Sequence, residues 1–224
     1  MKKINLLIIS IALILGSCTN NNTYKTPETE MEKVSYSLGV NVATGVKAQG
    51  LDTIDANAVA KAFKDVFEGN DLDISEEESM KVLQDYFGKI QAEKSAKANK
   101  AGAAYLAENG EKEGVTTTAS GLQYEILSTG SGEKPTTEDQ VTVHYHGTLT
   151  DGTVFDSSVD RGQPATFGVT QVIKGWTEAL QLMSTGDKWK LTVPADLAYG
   201  DQGAGGMIGP GATLIFEVEL LSIN

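Results

Sequence analysis

Val172-Ile173-Lys174-Gly175-Trp176 is the run from which the carboxy-terminal half of this 224-residue chain is read. Ala179, Leu180 and Met183 follow Trp176 at helical spacing, so the run opens a short helix with one apolar face. On either side of it the period changes to two. Val141, Val143 and Tyr145 alternate with Thr142, His144 and His146, which predicts a strand whose first set faces inward and whose histidines face out. Leu122, Tyr124 and Ile126 alternate likewise. So do Trp189, Leu191 and Val193 against Lys188, Lys190 and Thr192, and Leu214, Phe216, Val218 and Leu220 near the end of the chain. The expected architecture is an antiparallel sheet curled over a single helix, with a pocket between them.

Three flanking segments give the central run its chemistry. They are Val143-His144-Tyr145-His146-Gly147, Phe155-Asp156-Ser157-Ser158 with Arg161 close behind, and Ala198-Tyr199-Gly200. Each sets aromatic or branched apolar residues beside one or two polar groups, the makeup of an apolar pocket with a few convergent polar handles. Five motifs occur here in order over about eighty residues: Val-x-Val-x-Tyr-x-Gly from Val141, Gly-x-x-Phe-Asp-Ser-Ser from Gly152, Val-Ile-x-Gly-Trp from Val172, Ala-Tyr-Gly from Ala198, and Ala-Thr-Leu-Ile-Phe-Glu-Val-Glu-Leu from Ala212. At these residues the block resembles the FKBP-type peptidyl-prolyl cis-trans isomerase domain. Residues 31 to 119 resemble the helical amino-terminal domain of bacterial isomerases of the macrophage-infectivity-potentiator type.

The resemblance implies an α+β protein, with a helical amino-terminal domain, a long connecting helix and an FKBP-like sheet around one helix. It implies an enzyme that speeds rotation about Xaa-Pro amides, acting on proline-containing unfolded or partly folded polypeptides and needing no cofactor. Resonance sets that barrier at about 18 to 20 kcal/mol, and no covalent bond is made or broken in crossing it. By match to the motifs, Trp176 floors the pocket and Tyr145, Phe155, Val172, Ile173 and Phe216 wall it. The hydroxyl of Tyr199 and the backbone N–H of Ile173 bond the substrate carbonyl. Asp156 acts electrostatically on the twisted amide, partnered by Arg161 and the Tyr145 hydroxyl, because an unpaired carboxylate in an apolar wall is costly. Met207 and Ile208 overhang the site. Ala165 stands where some members carry a large aromatic, and Ala204 where some have a histidine, so a more open rim is expected. His144 and His146 lie two apart on one strand face, but no third ligand stands at metal spacing, and the pair is read as solvated surface.

A formal net charge of −12, with acidic residues in both halves and no sustained basic run, argues against nucleic acid as a partner. The single cysteine, Cys18, excludes an intrachain disulfide. Its setting is that of a lipoprotein signal: Lys2 and Lys3, an apolar run from Ile4 to Leu15, then Leu15-Gly16-Ser17 ahead of Cys18. Residues 1–17 are therefore read as a signal peptide and Cys18 as the lipidated first residue of the mature chain, with 18–30 a flexible tether. Thr19 after the cysteine favours the outer membrane, facing the periplasm.

Between the tether and the sheet the period is helical. Val34, Leu38, Val42 and Val46 recur every four residues. Asp55 can cap a second helix carrying Val59, Phe63, Val66 and Phe67. Ser75 with Glu78 forms a capping box for a third helix that meets no strong stop before Asn109-Gly110. Met80, Leu83, Tyr86, Phe87 and Ile90 mark its first half, whereas Gln91 to Ala104 has only small or polar side chains and is expected to be a solvated arm, with Gly88 and Gly102 as bend points. Gly110 to Ser120 reads as a hinge into an isomerase domain of residues 120–224. The apolar stripes of residues 31–119 predict a homodimer. A competing role is a periplasmic holdase-type chaperone in which the pocket is secondary.

Overall fold

The fold is taken from a computed structural model, which describes residues 25–224. The signal peptide, Cys18 and most of the tether lie outside the described residues. By its contacts the described chain divides after Gln49 into a unit that holds the first helix and a unit that holds all that follows. That helix, α1 (Glu30–Ala48), opens on a full capping box in which Thr29 Oγ1 accepts from Glu32 N and Glu32 accepts from the Thr29 amide. None of its residues is buried, and the stripe of Val34, Leu38 and Val42 is exposed.

In the second unit α2 (Ala56–Glu68) is capped by Asp55, whose carboxylate accepts from the amides of Asn57 and Ala58, and it stops at Gly69 in the left-handed conformation. The long helix α3 (Glu76–Gly110) runs 35 residues without a break through Gly88 and Gly102. Half of the expected capping box forms at its start, where Ser75 Oγ accepts from Glu78 N at 3.2 Å.

Seven strands follow among the described residues: β1 (Val115–Thr117), β2 (Gln123–Ser128), β3 (Gln140–Leu149), β4 (Val154–Ser157), β5 (Ala165–Gly168), β6 (Lys188–Val193) and β7 (Leu214–Ile223). All pairs are antiparallel, in the order β1-β2-β6-β7-β3-β4, with β5 also on β3. In β3 and β7 the expected alternation is realised, with Val141, Val143, Tyr145, Leu214, Phe216, Val218 and Leu220 all buried on the inner face, whereas in β2 it is not, since Gln123 is buried and Ile126 exposed. Helix α4 (Lys174–Leu182) fills the concave side, burying Trp176, Ala179 and Leu180, with Met183 just beyond it. Gly175 lets it come this close, since a Cβ there would stand 2.5 Å from Val193 Cγ1.

Two expectations need correction. Gly110–Ser120 is not an open hinge, because Val115, Thr116 and Thr117 pair with Glu125, Tyr124 and Gln123 as the edge of the sheet. Nor is the second half of α3 a solvated arm. Ser95, Gly102 and Asn109 are buried; Asn109 Nδ2 donates to Gln123 Oε1 at 2.9 Å, and Gln123 Nε2 donates to the Leu106 carbonyl at 2.8 Å. A Cβ at Gly102 would overlap Thr213 Oγ1. The small and polar residues of this stretch are what permit the close approach. Their contacts come through backbone proximity and hydrogen bonds, so no large apolar side chain is needed.

Candidate active site

The register of β3 assembles the site. Gly147 pairs with Phe216 on β7 and with Asp156 on β4, bringing two distant motifs to one point. A side chain at Gly147 would not fit, as its Cβ would lie 2.7 Å from Phe155 Cζ and 3.0 Å from Phe216 Cε1. Further along the edge of β3 that pairs with β4, Val141 pairs with Phe167 of β5. Trp176 lies beneath, 4% exposed, with three rings set edge-on around it: Tyr145 at 5.4 Å, Phe167 at 6.1 Å and Phe216 at 5.2 Å between centroids. Phe155 meets Phe216 edge-on at 5.4 Å. Such contacts contribute about 0.5–1.5 kcal/mol each beyond area burial, and together they hold the indole as a fixed floor.

Above the floor is a cavity of about 430 Å³. Eight residues expected at the site line it: Tyr145, Phe155, Asp156, Val172, Ile173, Trp176, Tyr199 and Phe216. Two further lining residues, Phe167 and Gln171, were missed by sequence reasoning. Phe167 lies two residues beyond Ala165 in a four-residue strand, too short for alternation to declare a face. Gln171 precedes Val172 at the mouth and carries no pattern of its own. Ile208 is not among the lining residues; it is 9% exposed, belongs to the buried cluster that also holds Tyr145, Trp176 and Phe216, and bridges Ala204 through backbone hydrogen bonds, while Met207 beside it is exposed. Ala165 and Ala204 pack against the core.

The polar groups are arranged in a chain. Tyr145 Oη donates to Asp156 Oδ2 at 2.5 Å, Arg161 Nη2 donates to Tyr145 Oη at 2.9 Å, and Arg161 Nη1 donates to Asp156 Oδ1. Burial is the largest single influence on Asp156 and pushes its pKa up, but the Tyr145 hydroxyl and the Arg161 guanidinium together hold the carboxyl below the usual range. Burial, and then the bond to Asp156, push the Tyr145 phenol above its ordinary value, so this hydroxyl stays a donor at working pH. Arg161 is outside the lining and acts on the site through these two bonds. Ile173, also in the lining, is the residue before α4; its carbonyl accepts from Trp176 N and Thr177 N, and its own N–H has no acceptor among the described residues. Tyr199 heads the 3₁₀ turn Gly200–Gln202 and is 41% exposed at the rim.

The histidines are on the outer face of β3 as expected, but they are partly buried and bonded: His144 Nδ1 lies 3.0 Å from Ser158 Oγ and His146 Nδ1 3.0 Å from Ser157 Oγ. These bonds tie β3 to the turn after β4 and so help fix Asp156.

An aromatic cavity lined also by Ile173, Tyr199 and a paired carboxylate is a set suited to a reaction with no covalent step. Comparison with known proteins agrees. Residues 131–221 match the family model described as FKBP-type peptidyl-prolyl cis-trans isomerase, and residues 31–126 match the domain amino terminal to it. The chain is 44% identical to the outer membrane protein MIP of Legionella longbeachae, over 100% of this chain and 98% of that protein. It is 43% identical to the FKBP-type 22 kDa peptidyl-prolyl cis-trans isomerase of Escherichia coli, over 90% of this chain and 99% of the relative. The crystal structure of FkpA from Escherichia coli superposes with a TM-score of 0.64 at 32% identity, covering 89% of this chain and 99% of that one. The chain belongs to the FKBP-type peptidyl-prolyl cis-trans isomerase family and is an isomerase of Xaa-Pro peptide bonds.

Proposed function

We propose that the proline ring of the substrate sits on Trp176 between Tyr145, Phe155, Val172 and Phe216, with the preceding carbonyl meeting the Tyr199 hydroxyl and the Ile173 N–H. Phe167 and Gln171 complete the wall. The observation that carries this reading is the fixed indole floor under a cavity whose rim holds both donors and Asp156. Desolvation of the amide weakens its resonance, and bonds made best in the twisted form lower the barrier without tightening the ground state. Asp156 is neither acid nor base here, because amide rotation transfers no proton. Held as an anion by Tyr145 and Arg161, it acts through its field on the twisted amide. The test follows cis-to-trans conversion of a short Xaa-Pro peptide with Tyr199→Phe and Asp156→Leu, beside calorimetric binding of a proline peptide. Rate should fall with binding largely retained; an equal loss of both in Asp156→Leu would refute the electrostatic role.

Domain boundaries follow from the same reading: residues 31–119 form the helical part that pairs two chains, and 120–224 the isomerase, with β1 and the end of α3 serving both. Support for a homodimer is the exposed stripe of α1 together with exposed Phe63 and Phe67 on α2 and Leu83 and Tyr86 on α3. Exposed large apolar residues recurring on each of the three helices suit burial against a second chain. Leu38→Glu should halve the mass measured by sedimentation. The holdase alternative would use these same stripes, and the site geometry favours isomerisation.

A lipid anchor at Cys18 and an outer-membrane site facing the periplasm rest on the signal layout and on the Legionella relative being named an outer membrane protein. Among the described residues no helix is long and apolar enough to cross a membrane. Cys18→Ser should release the protein from the membrane fraction.

A further inference from the structure

One face of α3 reads Gln91, Ser95, Asn99, Gly102, Leu106 and Asn109, spaced four, four, three, four and three apart, which is a helical stripe of polar and small residues apart from Leu106. Its upper part meets the segment that carries Tyr199. Gln91 Nε2 donates to the Asp201 carbonyl at 2.7 Å, Ser95 Oγ donates to Asp201 Oδ1, and Asn99 Nδ2 donates to Ser95 Oγ at 3.2 Å and more weakly to Asp201 Oδ1 at 3.5 Å. Asp201 is the middle residue of the 3₁₀ turn that Tyr199 heads. The far end of the same loop is held at the same place: Gly211 N donates to the Gly200 carbonyl at 2.9 Å, and Gly211, at φ +72°, lies so near Ser95 that a Cβ would come within 2.7 Å of the Ser95 carbonyl oxygen and 2.9 Å of its hydroxyl. Ser95 itself is 4% exposed. The root of the loop from Gly200 to Gly211 is thus pinned at both ends to the stretch of α3 from Gln91 to Asn99.

We propose that Ser95 and Asp201 are positioning residues for the reaction: α3 seats the turn Gly200–Gln202 and so fixes the Tyr199 hydroxyl over the cavity. Tyr199 is half-exposed and sits directly before that turn, so the turn's anchorage decides where the ring stands. The helix read from sequence as a passive arm is therefore part of the enzyme's active geometry. This rests on the reading that the Tyr199 hydroxyl bonds the substrate carbonyl, and the test separates the two.

In the full mature chain, Ser95→Ala and Asp201→Ala should lower kcat on an Xaa-Pro peptide by about three- to tenfold with KM little changed, since misplacement of a donor by a fraction of an ångström acts on the transition state. Asp201→Asn retains an acceptor oxygen for Ser95 and should recover most of the rate. The decisive measurement is a double-mutant cycle with Tyr199→Phe, in which the Ser95 and Asp201 substitutions should cost less than a further twofold once the hydroxyl is gone. Thermal unfolding of each variant reports any general loss of structure, which would lower the active fraction equally on both backgrounds. If the losses multiply in full on the Tyr199→Phe background, or if Ser95→Ala and Asp201→Ala keep wild-type kcat while Tyr199→Phe does not, the positioning role is wrong and the hydroxyl reading stands. If Tyr199→Phe itself turns over like wild type, the hydroxyl reading falls and the proposal with it.

Discussion

Replacing Tyr145 by Phe removes one oxygen atom and leaves the cavity's shape alone. The ring keeps its edge contact with Trp176 at 5.4 Å and its tilted contact with Phe167 at 6.2 Å, and the Arg161 guanidinium, 5.6 Å from the ring centroid, keeps its cation–π contact. What is lost is the bridge: the donation to Asp156 Oδ2 at 2.5 Å and the acceptance from Arg161 Nη2 at 2.9 Å. A hydrogen bond to a charged acceptor contributes about 1.5–3 kcal/mol where water is excluded. The Asp156 side chain is 45% exposed, so solvent screening brings the expected figure to about 1 kcal/mol, or roughly fivefold. We expect kcat/KM on an Xaa-Pro peptide to fall about fivefold, because the carboxylate is free to turn away from the twisted amide, and Tm to fall by about 2–4 °C. The pH profile gives a sharper readout. Asp156 titrates below its ordinary value in the folded protein, so its contribution is present in full above the unfolded carboxylate pKa, near 4, and is lost as pH falls through the lower folded value. In Tyr145→Phe the burial that pushes the pKa up remains, while the Tyr145 bond, the largest of the influences that pull it down, is gone. The acid limb of activity should therefore begin at a higher pH than in the wild type, while the acid-dependent loss of stability should be smaller and end at a higher pH. A protease-free isomerisation assay from pH 3 to 7, with thermal melts over the same range, measures both. An unmoved acid limb with unchanged kcat/KM, or a limb displaced to lower pH, would refute the account of Asp156 given above.

Gly147→Ala should reduce activity by at least tenfold with a modest loss of stability, since its Cβ would displace Phe155 or Phe216 from the wall; the same peptide assay checks it. Asn109→Ala leaves Gln123 and Thr192 without their buried partner and should destabilise the second unit by about 1–3 kcal/mol, read from denaturant unfolding, with the kinetics of the folded fraction unchanged. Phe63→Glu puts a charge in the exposed apolar stripe of α2 and should weaken self-association in sedimentation while leaving kcat on a short peptide as it was.

The sequence by itself determined the sheet, the helix inside it and eight of the ten lining residues. Strands such as Gln140–Leu149 and Leu214–Ile223 are long enough for alternation to declare a face, and the hydrophobic effect makes that alternation visible along the chain without reference to any partner. The motifs around Tyr145, Phe155, Trp176, Tyr199 and Phe216 then assign the pocket. Only the tertiary structure decided what touches where by shape and hydrogen bonding. Phe167 enters the wall because β5 pairs with β3, a choice made by register. Ile208 joins the buried cluster of Tyr145, Trp176 and Phe216 in a loop closed by its backbone bridge to Ala204, a pairing no local pattern announces. The second half of α3 carries no apolar period, so sequence reasoning leaves it in water. Its stripe of small and polar residues finds partners about a hundred positions away, as Ser95 finds Asp201 and Gly102 finds Thr213. Burial of oil leaves a pattern in the chain that is buried, whereas a hydrogen bond or a close backbone approach has meaning only once the partner's position is known.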